Sequence, residues 1–574
     1  MGIENFEIAQ IFSNVANLLE LKGENPYRIR AYRNAARSIS SWPQNISNLL
    51  CNHKALPHIS GIGADLESKI KEICETRSLK LYEEMINQIP KELTMLLSVP
   101  NLGPKRVRLL WEKFKVKDFH QLKNLALNHK IQKIRGFGEK LESQILENIE
   151  KLHLNQKRML WLSSQPIVES LIKYLKKFDS HLLVTAAGSF RRHQETVGDL
   201  DILVASELGE NVITYFCNFP ETQRVLNAGS TRASIILKSE IQVDLRVVPK
   251  ESYGAALIYL TGSKNHNIEI RKIAQQKGLK INEYGVYEGT SQIAGSSETD
   301  VYQSIGLSYI EPELRENLGE IEAAKNNHLP HLINLEDICG DLHVHSKYSD
   351  GTLSLKEIVK ISKSRGYQYI ALTDHTQHLK VAHGLTVKEI RKEFEEIDLL
   401  NSTLSNFRIL KSAEIDILED GTLDLPDEVI REMDVVVCAI HSSFKLTKNK
   451  QTARILKAIS HPCVNIFAHP TGRLIQERAS YEFEIEQVIR ESKNLSCALE
   501  INGQPTRLDL NDQFVRMAKE VGVKFSISSD SHSVSDFKFI ELGVYQARRG
   551  WLEKNEVINT LPIKELLKSF RSKK

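Results

Sequence analysis

The sequence predicts a multidomain chain: small helical domains, then an α+β module, then a C-terminal distorted (β/α)7 barrel. Three observations predict it. The first 150 residues carry three glycine turns between helix-like segments. Residues 188–201, GSFRRHQETVGDLD, follow a glycine-serine turn and two arginines with two aspartates on a strand-like run. From Gly340 onward, seven short apolar runs each close on a histidine, aspartate or glutamate. A chain of 574 residues is too long for one core. Its 41% hydrophobic and 26% charged content is that of a globular protein. No apolar run reaches membrane-spanning length, and MGIENFEIAQ lacks a signal layout, so a cytoplasmic location and no membrane partner are expected. Seven cysteines without a CxxC pair point to reduced thiols and exclude a cysteine zinc site.

The glycine turns are ISGIGADL at 59–66, VPNLGPKR at 99–106 and IRGFGEKL at 134–141. A turn of this kind lets backbone N–H groups approach a phosphate, and the following helix N-terminus adds its dipole. One such turn is equally a helix C-cap; three within 83 residues, built on Gly61, Gly63, Gly103, Gly136 and Gly138 with Lys105 beside the middle copy, make that reading of all of them poor and point to a bound phosphate backbone. Asn101 replaces the first glycine of the middle copy, and asparagine tolerates positive φ. Residues 101–200 hold 19 Lys and Arg against 10 Asp and Glu, in a chain of net charge +3 overall. That local excess fits a polyanionic partner. The turns resemble helix-hairpin-helix motifs, which grip DNA without reading sequence. NPYRIRAYRNAARSI, 25–39, and SGIGADLESKI, 60–70, resemble the small domain of DNA polymerase beta, which binds the 5′-phosphate of a gap. In some relatives that domain also removes deoxyribose phosphate through a lysine Schiff base. By the resemblance Lys69 matches that nucleophile, with Tyr32 and Arg33 beside it. Asp65 stands where a second lysine is usual and would keep Lys69 charged, which opposes lyase chemistry.

In the middle module, Leu200, Ile202 and Val204 alternate with Asp199 and Asp201, so both carboxylates share the face away from the core. The Gly188-Ser189 turn with Arg191 and Arg192 suits a polyphosphate. A carboxylate pair beside an anion cradle is how Mg²⁺ is held on a nucleoside triphosphate. In the next strand-like run, IQVDLRVV, Asp244 opposes four apolar residues, and an antiparallel pairing would set it beside the other two. Three carboxylates can hold two divalent ions, one lowering the pKa of an attacking hydroxyl and one neutralising pyrophosphate.

This GS…D-x-D…D pattern resembles the nucleotidyltransferase superfamily, and more finely the family X DNA polymerases of the DNA polymerase beta type. The likeness extends through Tyr259–Ser263, YLTGS, and residues 265–287. It implies that Asp199 and Asp201 hold Mg²⁺ or Mn²⁺ and that Asp244 helps deprotonate the primer 3′-hydroxyl. It also implies that Gly188, Ser189, Arg192 and Gly198 contact the triphosphate, that Tyr259 and Gly262 crowd the sugar, and that Asn267 and Arg271 lie near the nascent pair. Lys264 and Ile268 depart from the vertebrate pattern.

In the last third, DLHVHS gives His343 and His345, with Asp350 in the loop after them. YIALTDH ends at His375, RILKSAEID carries Glu414, VVVCAIH ends at His441 and VNIFAHP at His469. CALEIN carries Glu500, and VKFSISSDSH ends at Asp530 and His532. Helix-like segments such as 385–400 and 451–460 lie between them. Strands alternating with helices argue a parallel arrangement, and ligands gathered at strand C-termini argue a barrel with its active rim there. The pattern resembles the PHP (polymerase and histidinol phosphatase) family, a seven-unit barrel with up to three metals. All nine positions of its ligand set find a match: His343, His345, Asp350, His375, Glu414, His441, His469, Asp530 and His532. Nine ligands exceed the needs of one ion, and mixed imidazole and carboxylate suits two or three Mn²⁺, Zn²⁺ or Fe²⁺. Such a cluster activates water for attack on a phosphoester. His383 and Glu500 are its neighbours, while His378 and His461 read as loop residues.

The motifs divide the chain into a 5′-phosphate-binding, lyase-like domain at 1–88, a helix-hairpin-helix domain at 89–150 and a nucleotidyltransferase palm at 151–250. A nucleotide-binding subdomain at 251–318, a linker at 319–337 and the PHP domain at 338–574 follow. Residues 301–350 hold 9 acidic against 3 basic residues, a composition that keeps DNA off the join. The expected protein is a monomeric DNA polymerase that takes dNTPs and gapped or primed DNA, fills short gaps in base excision repair, and trims 3′ ends with its PHP nuclease. PHP relatives also cleave abasic sites or 3′-phosphates. The alternatives are a template-independent nucleotidyltransferase, separable by extension of single-stranded DNA, and a DNA-binding scaffold in which only the phosphoesterase is active. Intact Asp199, Asp201 and Asp244 oppose the scaffold.

Overall fold

The computed structural model describes residues 5–40, 46–51, 62–76, 78–88, 96, 99, 102–116, 118–134, 137–139, 141–146 and 158–570. It divides into two compact units, 1–157 and 158–574.

The first unit is helical among the described residues. In Asn5–Lys22 the residues Ile8, Phe12, Val15 and Leu19 recur every three or four positions and are buried. They pack on Tyr32, Ala35 and Ile39 of Pro26–Ser40, with the Phe12 and Tyr32 rings edge to face at 5.4 Å. Gly23, at φ 73°, closes the first helix in the left-handed conformation, and Pro26 opens the second. The same core runs through Ile70, Ile73 and Leu79 to Val107, Leu110, Leu122 and Ile145. Helices Ala64–Thr76 and Pro104–Phe114 begin directly after Gly63 and Gly103.

The second unit opens with a short pair, β1 (Met159–Leu160) against β3 (Thr196–Val197), and a five-stranded sheet. Its strands are β2 (Leu183–Ala186), β4 (Asp199–Ala205), β5 (Thr222–Ala228), β6 (Arg232–Leu237) and β7 (Gln242–Val248), in spatial order β2-β4-β7-β6-β5. Leu200, Ile202, Val204, Val243, Leu245 and Val247 form one face and bury against helices Trp161–Phe178 and Gly209–Cys217. On the other face Leu203 and Val248 pack on Ala256 and Leu257 of helix Tyr253–Thr261. The pairing of β4 with β7 is parallel, not antiparallel as the sequence reading had it. The chain leaves β4, crosses over through Gly209–Cys217 and the β5–β6 hairpin, and re-enters along β7 in the same direction. The register sets Asp201 directly opposite Asp244.

Three short antiparallel strands follow, β8 (Leu279–Asn282), β9 (Gly285–Glu288) and β10 (Ser291–Ala294), with helices Lys264–Gln276 and Glu298–Ser304. The barrel strands are β11 (Gly340–Val344), β12 (Tyr369–Leu372), β13 (Arg408–Lys411), β14 (Glu414–Asp416), β15 (Val437–Ala439), β16 (Ile466–Phe467), β17 (Ala498–Asn502) and β18 (Phe525–Ser528). All their pairings are parallel. RILKSAEID is thus two strands rather than one. Parallel bridges from His375 to Glu414 and from Val344 to Ser531 join the two sheets into a barrel. Alternate residues go to different cores: Ile370, Leu372, Cys438 and Phe467 to the large one, Leu342, Ala371, Leu410, Ala439 and Ala468 to a small one. Ile558 and Leu566 of the C-terminal segment join that small core. Among the described residues no helix is long and apolar enough to cross a membrane.

Phe216 is fully buried on the crossover helix that makes the β4–β7 pairing parallel. Phe216→Ala is expected to destabilise the second unit by about 3–5 kcal/mol. A urea midpoint that barely moves would contradict this packing.

Candidate active sites

The two aspartates of β4 and Asp244 of β7 project from the same side of adjacent strands. Asp244 is held by the Ser234 hydroxyl and by Gln242 Nε2, 2.9 Å from Oδ2. Burial, followed by the charges of Asp199 and Asp244, pushes the Asp201 carboxyl up to about 8. Burial and then Asp244 also raise Asp199. The local chain fixes this geometry. Gly188 sits at φ 61°, and a Cβ there would stand 2.2 Å from Asp201 Oδ2, so only glycine lets the turn meet the carboxylate.

A cavity of about 740 Å³ opens in front of this cluster. Gly188, Ser189, Arg192, Asp199, Asp201, Tyr259, Gly262, Asn267 and Arg271 line it. Of the predicted residues, Gly198 and Asp244 do not line it. Arg271 lies over the Tyr259 ring at 5.9 Å, and Asn267 Nδ2 donates to the Tyr259 carbonyl at 2.8 Å. Asn267 Oδ1 is buried without a hydrogen-bond partner. Arg158, Gln194 and Lys264 also line the cavity, and the sequence reading missed that.

The two arginines of the turn part ways. Arg192 lines the cavity, whereas Arg191 turns to Glu298 with two bonds of 2.8 and 2.7 Å. Arg315 donates to the same carboxylate at 2.7 Å. Burial alone would raise the Glu298 carboxyl, but these guanidiniums hold it down at about 2. The expected two-arginine cradle therefore keeps one arginine for the cavity.

In the barrel the predicted residues converge at the C-terminal ends of the strands. Three groups bring ligand-type atoms within 4.8 Å of one another: His345, Asp350, His375 and His532; His343, His345 and Asp530; and His375, Glu414 and His441. Glu414 is the hub. Its Oε1 lies 2.7 Å from His469 Nε2 and 3.1 Å from His441 Nε2, and its Oε2 lies 3.0 Å from His375 Nδ1. Burial opposes its ionisation, yet the surrounding imidazoles of His441, His343 and His375 hold it well below the usual range. His343 Nε2 faces His345 Nε2 at 3.1 Å. The buried Nδ1 atoms of His345 and His469 have no hydrogen-bond partner. His469 at φ 28° and Asp530 at φ 54° hold left-handed backbone that their side chains disfavour. Opposed imidazole nitrogens, unpartnered buried nitrogens and clustered carboxylates fit a divalent-cation centre.

The mouth is a cavity of about 230 Å³ lined by Asp350, His375, Glu414, His441, His469, Asp530 and His532, with Arg507 and the apolar Leu379 and Val381. Glu500 lies behind the cluster: its Oε1 is 2.7 Å from His343 Nδ1 and its Oε2 accepts the His469 N–H at 2.7 Å. It orients ligands from the second layer. Asp374 does similar work, accepting from Ser346 and Ser349, as does Asp416, which accepts the His441 N–H. His383 is exposed and does not line the mouth. His378 lies 3.6 Å from Asp416, the carboxylate behind His441, and His461 lies 3.3 Å from Asp427; neither lines the mouth.

In the first unit Gly61 and Gly136 lie outside the described residues. Gly63, Gly103 and Gly138 have no positive φ, and a Cβ at any of them would meet nothing within 4 Å. Lys105 is exposed at the start of its helix. Lys69 is paired with Asp65.

Family models match this chain along its length: a helix-hairpin-helix domain at 3–79, a SAM-like helix-hairpin-helix tandem at 93–151, a DNA polymerase beta palm at 164–245, a DNA polymerase beta thumb at 256–316 and a PHP domain at 341–522. The DNA polymerase/3′-5′ exonuclease PolX of Bacillus subtilis (strain 168) is 38% identical over 564 residues, 98% of each chain. A probable phosphatase of Thermoanaerobacter sp. (strain X514) is 28% identical over 246 residues, 41% of this chain and 96% of its own. DNA polymerase lambda of Rattus norvegicus is 23% identical over 345 residues, 54% of this chain and 56% of its own. The near full-length likeness, with palm, thumb, helix-hairpin-helix and PHP models in one order, places the chain among the family X DNA polymerases of the DNA polymerase beta type that carry a C-terminal PHP domain.

Proposed function

We propose that this chain is a DNA-directed DNA polymerase that fills short gaps during repair, and that its barrel removes nucleotides from 3′ ends. The observation that carries the first half is the register of Asp201 against Asp244 beside a 740 Å³ cavity edged by Arg192. Both activities depend on divalent cations: the barrel brings three ligand groups together, and the palm offers paired aspartates on adjacent strands.

In the palm, Asp199 and Asp201 would hold Mg²⁺ or Mn²⁺, whose Lewis acidity eases loss of the primer hydroxyl proton and whose charge offsets pyrophosphate. Ser234 and Gln242 brace Asp244 beside Asp201, and Asp244 would help deprotonate the primer 3′-hydroxyl. Gly188, Ser189 and Arg192, which line the cavity, contact the triphosphate. Tyr259 and Gly262 crowd the sugar; Asn267 and Arg271, braced against Tyr259, flank the base pair.

In the barrel the nine side chains would hold two or three Mn²⁺, Zn²⁺ or Fe²⁺, which activate water for attack on a phosphodiester. Glu500, Asp374 and Asp416 keep the rings and loops in place before any substrate arrives. The helical unit would hold the DNA backbone at Gly61, Gly63, Gly103, Lys105, Gly136 and Gly138, and the 5′-phosphate near Lys69. Lys69 is engaged by the Asp65 carboxylate, a pairing that opposes its use as a lyase nucleophile. We read the working modules as 1–88, 89–150, 151–250, 251–318 and 338–574, with a linker at 319–337, in a monomeric cytoplasmic protein.

On a one-nucleotide gap, Asp199→Ala should abolish dNTP incorporation and leave 3′-end hydrolysis intact, and His345→Ala should do the reverse. Loss of both activities in either protein contradicts two separate centres. The raised Asp201 pKa gives a second test. Its protonated form favours the fold, so the contribution is complete below pH 3.8 and lost as pH rises through about 8. Metal-free Asp201→Asn should therefore gain stability over the parent across that window, by up to about 1.4 kcal/mol per pH unit. Chemical unfolding at several pH values reads the difference, and a constant gap would contradict a buried carboxyl raised by its burial and its acidic neighbours.

A further inference from the structure

Arg192 reaches the palm cavity with two of its donors already engaged. Its Nε donates to Glu316 Oε1 at 2.9 Å, and its Nη1 to the Thr261 carbonyl. Gln194, also at the cavity, donates to the same Glu316 oxygen at 2.5 Å. Glu316 thus sets a negative charge against the one turn arginine that faces the nucleotide. Left alone, it would cancel much of the potential that Arg192 offers a polyphosphate.

A third donor reaches that oxygen, and it comes from the barrel. Arg549 ends the helix Ile540–Arg549 and is 96% buried at its side chain, since only 4% remains exposed. Its Nη1 lies 3.2 Å from Glu316 Oε1 and donates to the Arg192 backbone carbonyl at 2.9 Å. Its Nη2 is tied to Asp512, at the start of helix Asp512–Val521. Charges therefore alternate along Arg192, Glu316, Arg549 and Asp512. The loop carrying Arg192 is clasped by other barrel groups as well. The Tyr545 ring stacks on His193 at 3.7 Å, Gln546 Nε2 donates to Glu195 at 3.0 Å, and Arg473 Nη1 to Glu195 at 3.1 Å.

We propose that Arg549 is a positioning residue of the polymerase site: it shares Glu316 and grips the Arg192 backbone, so that Arg192 keeps both its place and its charge for the incoming triphosphate. The PHP barrel is then one wall of the nucleotide site as well as a separate nuclease. In a site of low dielectric, removing one member of an alternating chain leaves its neighbour unbalanced. Without Arg549, Glu316 would close fully on Arg192. The inference rests on the reading of Arg192 as a triphosphate contact.

The test is steady-state incorporation on a one-nucleotide gap by the full chain, with 3′-end hydrolysis of single-stranded DNA measured in parallel. Arg549→Met is expected to raise the KM for dNTP about tenfold, the size of one lost charge-assisted contact, while kcat and hydrolysis hold. Adding Glu316→Gln removes the unbalanced charge and should bring KM back toward the parent; a merely structural loss would not be rescued. Arg192→Ala separates the two layers of the argument. If it raises KM while Arg549→Met does not, or if Glu316→Gln fails to rescue, the positioning role falls and the cavity reading stands. Equal loss of both activities in Arg549→Met also overturns it. A parental KM in Arg192→Ala overturns the cavity reading and this inference together.

Discussion

The burial of Asp201 beside two further carboxylates, Asp199 and Asp244, is the constraint from which the rest of the palm follows. Parallel strands β4 and β7 hold two of these carboxylates in register, in a corner where burial penalises charge. A fold free to minimise its own energy would separate them or replace one with an amide. This one braces Asp244 with Ser234 and Gln242 and brings the turn glycine, Gly188, against Asp201 with no side chain between. The arrangement is costly to the empty protein and suited to cations, which is the usual trade between stability and function.

The barrel solves the same problem with different chemistry. There the carboxylates are not left to repel one another. Glu414 is ringed by His375, His441 and His469, and Glu500 and Asp416 pin the rings from behind. The imidazoles of His441, His343 and His375 hold the Glu414 carboxyl well below its usual range despite its burial. The left-handed backbone at His469 and Asp530 concentrates local strain at the strand ends where those side chains must turn inward. Between the centres, Arg549, Tyr545 and Gln546 join the barrel to the loop that leads from Arg192 to Asp199.

Most of this was legible in the chain because strand periodicity exposes chemistry. Asp199 and Asp201 stand out as polar residues in an alternating run, and the barrel ligands recur where apolar runs end. The direction of a partner strand leaves no such mark, and the parallel pairing of β4 with β7 depends on a crossover that period-two alternation cannot report. The break at Ser412 and Ala413 that divides RILKSAEID is likewise invisible in its apolar pattern. Neighbouring residues can also take opposite roles. Arg191 and Arg192 are alike in sequence, yet Glu298, 107 positions away, draws one from the cavity. Glu316 and Arg549 carry no motif; their meaning comes from a contact spanning 233 positions. The supporting carboxylates Asp374 and Asp416 read as ordinary turn and strand residues until the fold places them behind the histidines.

Two cation-gathering centres in one chain, one acidic and one rich in imidazole, are the central claim. Anomalous scattering from a crystal grown with Mn²⁺ and a non-hydrolysable dNTP tests it most directly. The account predicts peaks at the carboxylates of Asp199 and Asp201 and further peaks around Glu414 in the barrel. A palm free of anomalous signal, its three carboxylates turned apart with the nucleotide bound, would contradict it.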